Sequence, residues 1–408
     1  MLSEQTHIYM LELAPVGSFN GVARCIETLT QQMPCQVTWL RITYGQGCQQ
    51  TLCQHSSSTS FHCYSLPYPL GEFLTDEQKR MACWYEIQGI LFPVNNVCEP
   101  CIYHVHTLNL IELAVVLKKQ WGGSIVTHLH CLPWKTLFDK NTVRYNRLYH
   151  RYYHTHMLHP VRDFVLRDYE AEAYRISDAI VCVTQCAQDF LRNLGVPPAK
   201  THVVYNGLPD MPRGHYPSLR KNAKFTILFV GNTNPSKGLG FLLEALTLLG
   251  EDAFRLVVVG DFSFGKREDV LASYPNMDIQ FTGKLSLKEM AYYYATTHIG
   301  VIPSIHEQCS CVAIEMMMHA VPVICSQTDG LKEMFQHGAN ALLVPLVTPV
   351  IGRHSVDTSA LAASISMLQH DATLRAALAH GSRQTFLERF TEHTMMQQIL
   401  QIYSSIII

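Results

Sequence analysis

The residues best placed to do chemistry lie in one run, Pro303-Ser304-Ile305-His306-Glu307-Gln308-Cys309-Ser310-Cys311-Val312-Ala313-Ile314-Glu315. A strand-like run ends at Pro303, a polar loop carries Glu307, and a helix is predicted to begin near Ser310 or Cys311. A helix start offers backbone N–H donors and a positive dipole end, which suits a diphosphate. Glu315 falls about one turn into that helix, inside the apolar stretch 312–318. A carboxylate there can accept two hydrogen bonds from a diol. A buried helical glutamate also needs a partner. The plainer reading is a pair of solvated surface glutamates. The apolar surroundings of Glu315 and the buried strand before Glu307 favour function.

Other groups invite the same question. Gly17-Ser18-Phe19-Asn20-Gly21 joins a strand to a helix, and Gly21 at the helix start permits close approach of a phosphate or sugar. It reads equally well as an ordinary strand-to-helix turn. His104 and His106 end one strand, and His128 and His130 end another. Alternation places each pair on one face. Packed, hydrogen-bonded histidines and a metal cluster are both open to such a set. Cys98 and Cys101 have CxxC spacing, but no second pair stands at zinc-site distance. Residues 144–156 are basic, aromatic and histidine-rich, and include Arg144, Arg147 and Arg151. They fit an acceptor-recognition or membrane-surface helix, or an amphipathic helix on the domain or a subunit contact.

Composition narrows the classes. Of 408 residues, 48% are apolar and 16% charged, which is a packed, globular balance rather than a disordered one. A formal net charge of -2 argues against a general nucleic-acid binder. The start of the chain lacks a basic, long apolar leader, and no window has eighteen uninterrupted apolar residues. A cytoplasmic protein is expected, with a peripheral place at the inner membrane face left open through 144–156. The 14 cysteines are scattered and read as reduced, buried thiols.

Strand-like and amphipathic helical runs alternate almost throughout. Strands are predicted at 7–13, 36–44, 102–106, 124–130 and 179–184, with helices at 21–33, 110–120 and 164–176. A second series follows: strands at 225–230, 255–259, 279–282, 300–303 and 321–325, helices at 240–249, 287–295 and 312–319, and helical pattern at 359–369 and from 373 onward. Such alternation predicts an α/β fold of parallel sheets with crossover helices. Residues 208–224 read as a linker rich in proline and basic residues. The expected domains are therefore 1–207 and 225–385, with a final helix, 386–408, returning to the first. In doubly wound sheets ligands bind at the carboxyl ends of strands. A cleft between two such edges is the expected active site.

The 303–315 run resembles the E-x7-E motif of the retaining glycosyltransferases of family 4, which have the GT-B architecture of two facing Rossmann-like domains. Further blocks match in order. They are Val203-Val204-Tyr205-Asn206-Gly207, then Val230-Gly231-Asn232-Thr233-Asn234-Pro235-Ser236-Lys237-Gly238, Val259-Gly260-Asp261, Phe281-Thr282-Gly283-Lys284 and Pro322-Val323-Ile324. The resemblance covers most of the chain and is densest between Ala179 and Glu333. It implies that Glu307 is the loop carboxylate beside the donor sugar and that Glu315 binds the ribose hydroxyls. It makes Lys237 the cation on the donor phosphates, and Gly283, Lys284 and Leu285 the turn against the nucleobase. Asn232, Ser310 and Cys311 join the donor site, with Gly21 as the N-terminal glycine loop. His130, with Cys131, stands where the family often has His-Asp, so the resemblance implies that His130 is the cleft histidine that contacts donor sugar or acceptor. Two departures stand out: Asn232 occupies the place of the family's arginine, and Gln308 and Ser310 replace its loop glycines. Arg213 or Lys266 are candidates for the lost charge.

The resemblance implies transfer of a hexose-type sugar from a UDP- or GDP-linked donor to a glycan, lipid-linked or peptide acceptor, with retention of configuration, as in polysaccharide biosynthesis. No metal or other cofactor is expected, because Lys237 supplies the charge. The departures allow a second reading, a catalytically weakened GT-B protein that binds glycan or stabilises a partner transferase. A nicotinamide-dependent oxidoreductase shares the strand–helix pattern, but no GxGxxG turn followed by an acidic residue is present.

Overall fold

The computed structural model describes residues 6–18, 20–45, 52–55, 59–91, 100–132, 165–211, 224–250, 253–262, 267–347 and 354–407. The chain divides into two compact units. One comprises Met1–Tyr205 with Glu392–Ile408, the other Asn206–Thr391. The basic, aromatic segment 144–156, Cys98, Arg213 and Lys266 lie outside the described residues, as does most of the expected linker. Among the described residues no helix is long and apolar enough to cross a membrane.

In the first unit the elements run β1 (His7–Pro15), α1 (Gly21–Gln32), β2 (Gln36–Tyr44), β3 (Leu52–His55), β4 (Thr59–Ser65), α2 (Leu70–Thr75), α3 (Glu77–Leu91), β5 (Cys101–Val105), α4 (Ile111–Trp121), β6 (Ser124–Leu129), α5 (Val165–Ile176), β7 (Ala179–Cys182), α6 (Gln185–Asn193) and β8 (Thr201–Val203). They form one sheet in the order β3-β4-β2-β1-β5-β6-β7-β8. All its pairings are parallel except β3 with β4. One face packs under α2, α3 and α4 through Phe73, Trp84, Ile111 and Leu117. The other packs under α1 and the helix Glu392–Ile406 through Ile26, Leu29, Met395, Ile399 and Tyr403. A sheet covered on both faces explains why β1 and β5 read as nearly unbroken apolar runs. Residues 52–65 have no strong apolar alternation, so β3 and β4 were not among the predicted strands.

The second unit runs β9 (Phe225–Val230), α7 (Leu239–Leu249), β10 (Phe254–Val259), α8 (Arg267–Ser273), β11 (Asp278–Gly283), α9 (Leu287–Thr296), β12 (Ile299–Ile302), α10 (Cys311–Met318), β13 (Val323–Ser326), α11 (Asp329–Met334), β14 (Leu342–Val344), a small antiparallel pair β15 (Leu346–Val347) and β16 (Ser355–Val356), α12 (Thr358–His370) and α13 (Ala372–Arg389). Its parallel sheet has the order β11-β10-β9-β12-β13-β14, so strand order reverses between β9 and β12. The predicted α/β class with two Rossmann-like domains is therefore correct. The continuous helical pattern after residue 373 breaks into α13 and α14 (Glu392–Ile406). At the break the Leu208 N–H donates to the Phe390 carbonyl at 3.0 Å, and Leu208 bridges Thr391. A tertiary hydrogen bond thus interrupts a segment whose local pattern is helical.

His7 enters the core at the start of β1, 3% exposed, with Nε2 2.8 Å from Thr38 Oγ1. Burial, and secondarily the nearby His62, lower its pKa from 6.5 to about 4. The fold disfavours the imidazolium, so this contribution is full above pH 6.5 and is lost as pH falls through about 4. Acidification over that window should destabilise the first unit by up to about 3 kcal/mol from this group. His7→Asn should flatten that part of the profile, as measured by urea unfolding at a series of pH values.

Candidate functional site

In an open parallel sheet, the crevice where strand order reverses is the natural ligand position. In the second unit that point lies between β9 and β12, and the loops 231–238 and 303–310 leave the carboxyl ends of those two strands. Asn234 organises the first loop: its Oδ1 accepts from the Ser236 N–H and hydroxyl, each at 3.0 Å. The turn Pro235–Lys237 ends on Gly238, at φ +80°. A Cβ on Gly238 would sit 1.9 Å from the Pro303 carbonyl oxygen. Only glycine allows this backbone approach. The Ile305 N–H then donates to the Ser236 carbonyl at 2.8 Å, joining the two loops.

That junction brings Lys237 Nζ to 2.7 Å from Glu307 Oε1. The Ser304 hydroxyl donates to the same oxygen at 3.0 Å. The Glu307 side chain is 11% exposed and that of Lys237 35%. The pair is held at the surface of the crevice with the lysine more open. Ser310 caps α10, accepting from the Ala313 N–H at 3.4 Å, and Cys311 is the first helical residue. The predicted helix start is therefore in place, beside Glu307.

The replaced glycines have an explanation. Among the described residues Ala320 is the only non-glycine at positive φ. Gln308, Cys309 and Ser310 follow ordinary backbone, with Ser310 at φ -72°. This loop needs no glycine of its own. Its shape comes from neighbours: the Asn206 side chain donates to the Cys309 carbonyl at 3.0 Å. Gly330 in α11 lies so close that a Cβ there would fall 1.9 Å from the Gln308 carbonyl oxygen. Ser304 and Gly330 are contributors that the reading of the sequence missed. Gly330 is a small residue far along the chain, with no local signal of what it faces.

Glu315 is 8% exposed on α10. The partner its burial demands is Tyr294 of α9, whose hydroxyl donates to Glu315 Oε2 at 2.5 Å. His319 stacks on the Tyr294 ring at a centroid distance of 5.0 Å. Tyr294 belongs to the run Tyr292-Tyr293-Tyr294, and only the burial pattern distinguishes the third.

The carboxyl ends of β9, β10 and β11 carry the remaining donor-side candidates. Gly231 N–H donates to Val259 O and Gly260 N–H to Gly283 O, both at 2.9 Å. Asn232, in the arginine's place, turns its Oδ1 to the Asn234 N–H at 3.3 Å. It thereby shapes the lysine loop instead of adding charge. Lys284 pairs with Asp261 at 3.3 Å, both well exposed, and Leu285 is half-buried. The structure thus gathers Asn232, Lys237, Glu307, Ser310 and Cys311 in two joined loops, with Gly283, Lys284 and Leu285 at the end of β11. Arg267, at the start of α8, brings a guanidinium nitrogen to 3.9 Å from the Cβ position of Gly283. That basic group also went unnoticed.

In the first unit Gly21 opens α1, where Asn20 Oδ1 accepts from the Val22 and Ala23 N–H groups at 3.0 and 3.1 Å. Two donors of that helix start are thus engaged by the chain itself. Arg41 donates to the Ser18 carbonyl and lies 3.4 Å from the buried Glu12, which also accepts from Trp39 Nε1 at 3.2 Å. Burial raises the Glu12 pKa, against the opposing pull of Arg41. His130 follows β6, its Nε2 2.9 Å from His106 Nδ1 and its ring stacked on His128 at 4.1 Å. Burial lowers its pKa to about 3, so it is neutral near pH 7. His128, expected to be hydrogen-bonded, has neither ring nitrogen paired.

Two family models match the chain: glycosyltransferase family 4 over residues 19–210, and glycosyl transferases group 1 over 224–371. Among curated relatives, the MMP alpha-(1->4)-mannosyltransferase of Mycolicibacterium hassiacum is 26% identical over 242 residues, 58% of this chain and 56% of that protein. The first curated relatives are spanned over only 44%, 54% and 60% of their own length, so the chain spans about half of them. Sucrose-phosphate synthase from Thermosynechococcus elongatus has the same fold, with a TM-score of 0.72 at 17% identity and 98% of each chain covered. HepE of Anabaena in complex with UDP-glucose gives a TM-score of 0.68 at 17% identity, covering 97% of this chain and 99% of that one.

Gly238→Ala forces a Cβ against the Pro303 carbonyl at a positive φ. It should destabilise the second unit by about 2–4 kcal/mol, measured by denaturant unfolding. Glu315→Gln should leave the fold intact and change stability by less than about 2 kcal/mol, because the amide oxygen still accepts from Tyr294. Tyr294→Phe should cost more than that, since it leaves a buried carboxylate short of a donor.

Proposed function

We propose that this chain, which belongs to the GT-B glycosyltransferases, moves a hexose-type sugar from a nucleotide-sugar donor to a glycan, lipid-linked or peptide acceptor with retention of configuration. The observation that carries the proposal is the pairing of Lys237 with Glu307 at the point where strand order reverses, beside the start of α10. A departing nucleoside diphosphate needs positive charge and N–H donors where its own charge develops. Lys237 and the first turn of α10 supply both from the chain itself. Glu315 is assigned to the ribose hydroxyls, with its carboxylate oriented by Tyr294. Glu307 is assigned to the donor sugar. Gly283, Lys284 and Leu285 are assigned to the base, with Arg267 beside them in place of the missing arginine. Gly21 and His130 are assigned to the sugar or acceptor. His130, being neutral, acts as a hydrogen-bond partner rather than as a proton source.

In the proposed step the bond between the anomeric carbon and the diphosphate oxygen breaks, and the diphosphate keeps the electron pair. The acceptor oxygen bonds to the same face, and its proton passes to the departing phosphate oxygen. Glu307 and Glu315 do not form a hydrolytic carboxylate pair, since both come from one loop–helix segment rather than from opposite sides of a scissile bond. HepE, in complex with UDP-glucose, makes uridine donors the first to test here.

A panel of UDP- and GDP-sugars should produce one clear rise in melting temperature and one turnover signal. Proton NMR of the first-formed product should show the donor's anomeric configuration; the opposite anomer would overturn retention. Lys237→Met should lower kcat/KM by about 100-fold or more with the fold intact. Glu315→Gln should act mainly through donor KM, by about 10-fold. Turnover of no nucleotide sugar by a well-folded protein would overturn the reading.

A further inference from the structure

We propose that His104, His106 and His128 form a buried transition-metal site in the first unit that takes a zinc-class divalent ion. The site is independent of the transfer reaction proposed above. One ring nitrogen from each histidine lies within 4.8 Å of the other two. The three rings are 0–5% exposed, with centroids 4.2 to 5.1 Å apart. Cys25, on α1, groups with His128 and His130 instead, and its thiol donates to the Met395 sulfur at 3.8 Å. His128 therefore belongs to both groupings.

The hydrogen-bond pattern points to a ligand rather than to simple packing. His104 uses Nδ1 toward the Tyr403 hydroxyl, and its buried Nε2 has no partner. His106 uses Nδ1 toward His130, while its Nε2 meets only the thioether sulfur of Met10, at 3.4 Å. His128 has both nitrogens buried and unpaired. A neutral imidazole always carries one N–H and one lone pair, and leaving either unmet in a core is costly. Metal-bound histidines characteristically have one nitrogen on the ion and the other hydrogen-bonded to a neighbour. His104 and His106 already have that arrangement, with Tyr403 and His130 as the neighbours.

Three imidazole donors in a closed apolar setting suit zinc. Zinc–nitrogen bonds of about 2.0–2.1 Å put tetrahedral donors about 3.4 Å apart, so small side-chain rotations would close the present spacing. The ion would tie β5 to β6 beneath α14, a structural position. It leaves His130 available at the end of β6.

The full chain, incubated with zinc sulfate and gel-filtered, should retain about one equivalent by plasma emission spectroscopy. Its melting temperature should rise with zinc. His128→Phe fills the same space without nitrogens. It should fold, retain no zinc and show no zinc-dependent shift. Cobalt(II) loading should give visible ligand-field bands that His104→Asn abolishes, and this decides the matter should His128→Phe fail to fold. Absence of retained zinc in the unaltered chain, equal retention by His128→Phe, or a cobalt spectrum indifferent to His104→Asn would overturn the site.

Discussion

The close approach of Gly238 to the Pro303 carbonyl determines most of the second unit's chemistry. Two strands that carry the chain in opposite directions across a sheet end side by side, and their loops diverge unless something binds them. Here a missing side chain lets backbone meet backbone, and the Ile305–Ser236 hydrogen bond locks the contact. Lys237 and Glu307 are 70 residues apart in the chain yet need no long search to meet. Their geometry is inherited from the backbone beneath them, which is the sense in which a site is preorganised.

Loop shape can be transferred between residues. A loop that lacks its own glycines is still shaped by glycine when the small residue lies in the element opposite. Gly330 does this for Gln308, and Asn206 holds the next carbonyl. Asn232 shows the complementary substitution: a residue that adds no charge instead braces the turn that presents one. The first unit solves a similar problem with charge. Arg41 holds the Ser18 carbonyl from below while sharing the buried Glu12 with Trp39.

What the sequence made legible follows from locality. Strands β2 and β9 were placed to the residue, because turn residues bound them on both sides. The helix start at Ser310–Cys311 and the burial of Glu315 could be read from a polar residue before an apolar run. Tyr294, Gly330, Ser304 and Arg267 were not legible as site residues, since each acquires its role only from a partner distant in the chain. The α13–α14 break has the same cause: Leu208 takes a carbonyl that a continuous helix would have kept. Strands β3 and β4 escaped notice because their residues alternate too weakly to announce a buried face.

The packing of α14 has a consequence for how the protein is made. Met395, Ile399, Ile402 and Tyr403 complete the core over β1, β5 and β6, yet the ribosome delivers them after the whole of the second unit. Folding units ordinarily form in order of synthesis. Here the unit that begins first must finish last. The part of its α1-side face that α14 covers waits exposed while the second unit can already close on itself. During that interval the exposed surface includes the histidine cluster, whose Tyr403 arrives only with the final helix. The apolar surface that α14 covers is thus the part of the first unit's core that synthesis leaves exposed longest.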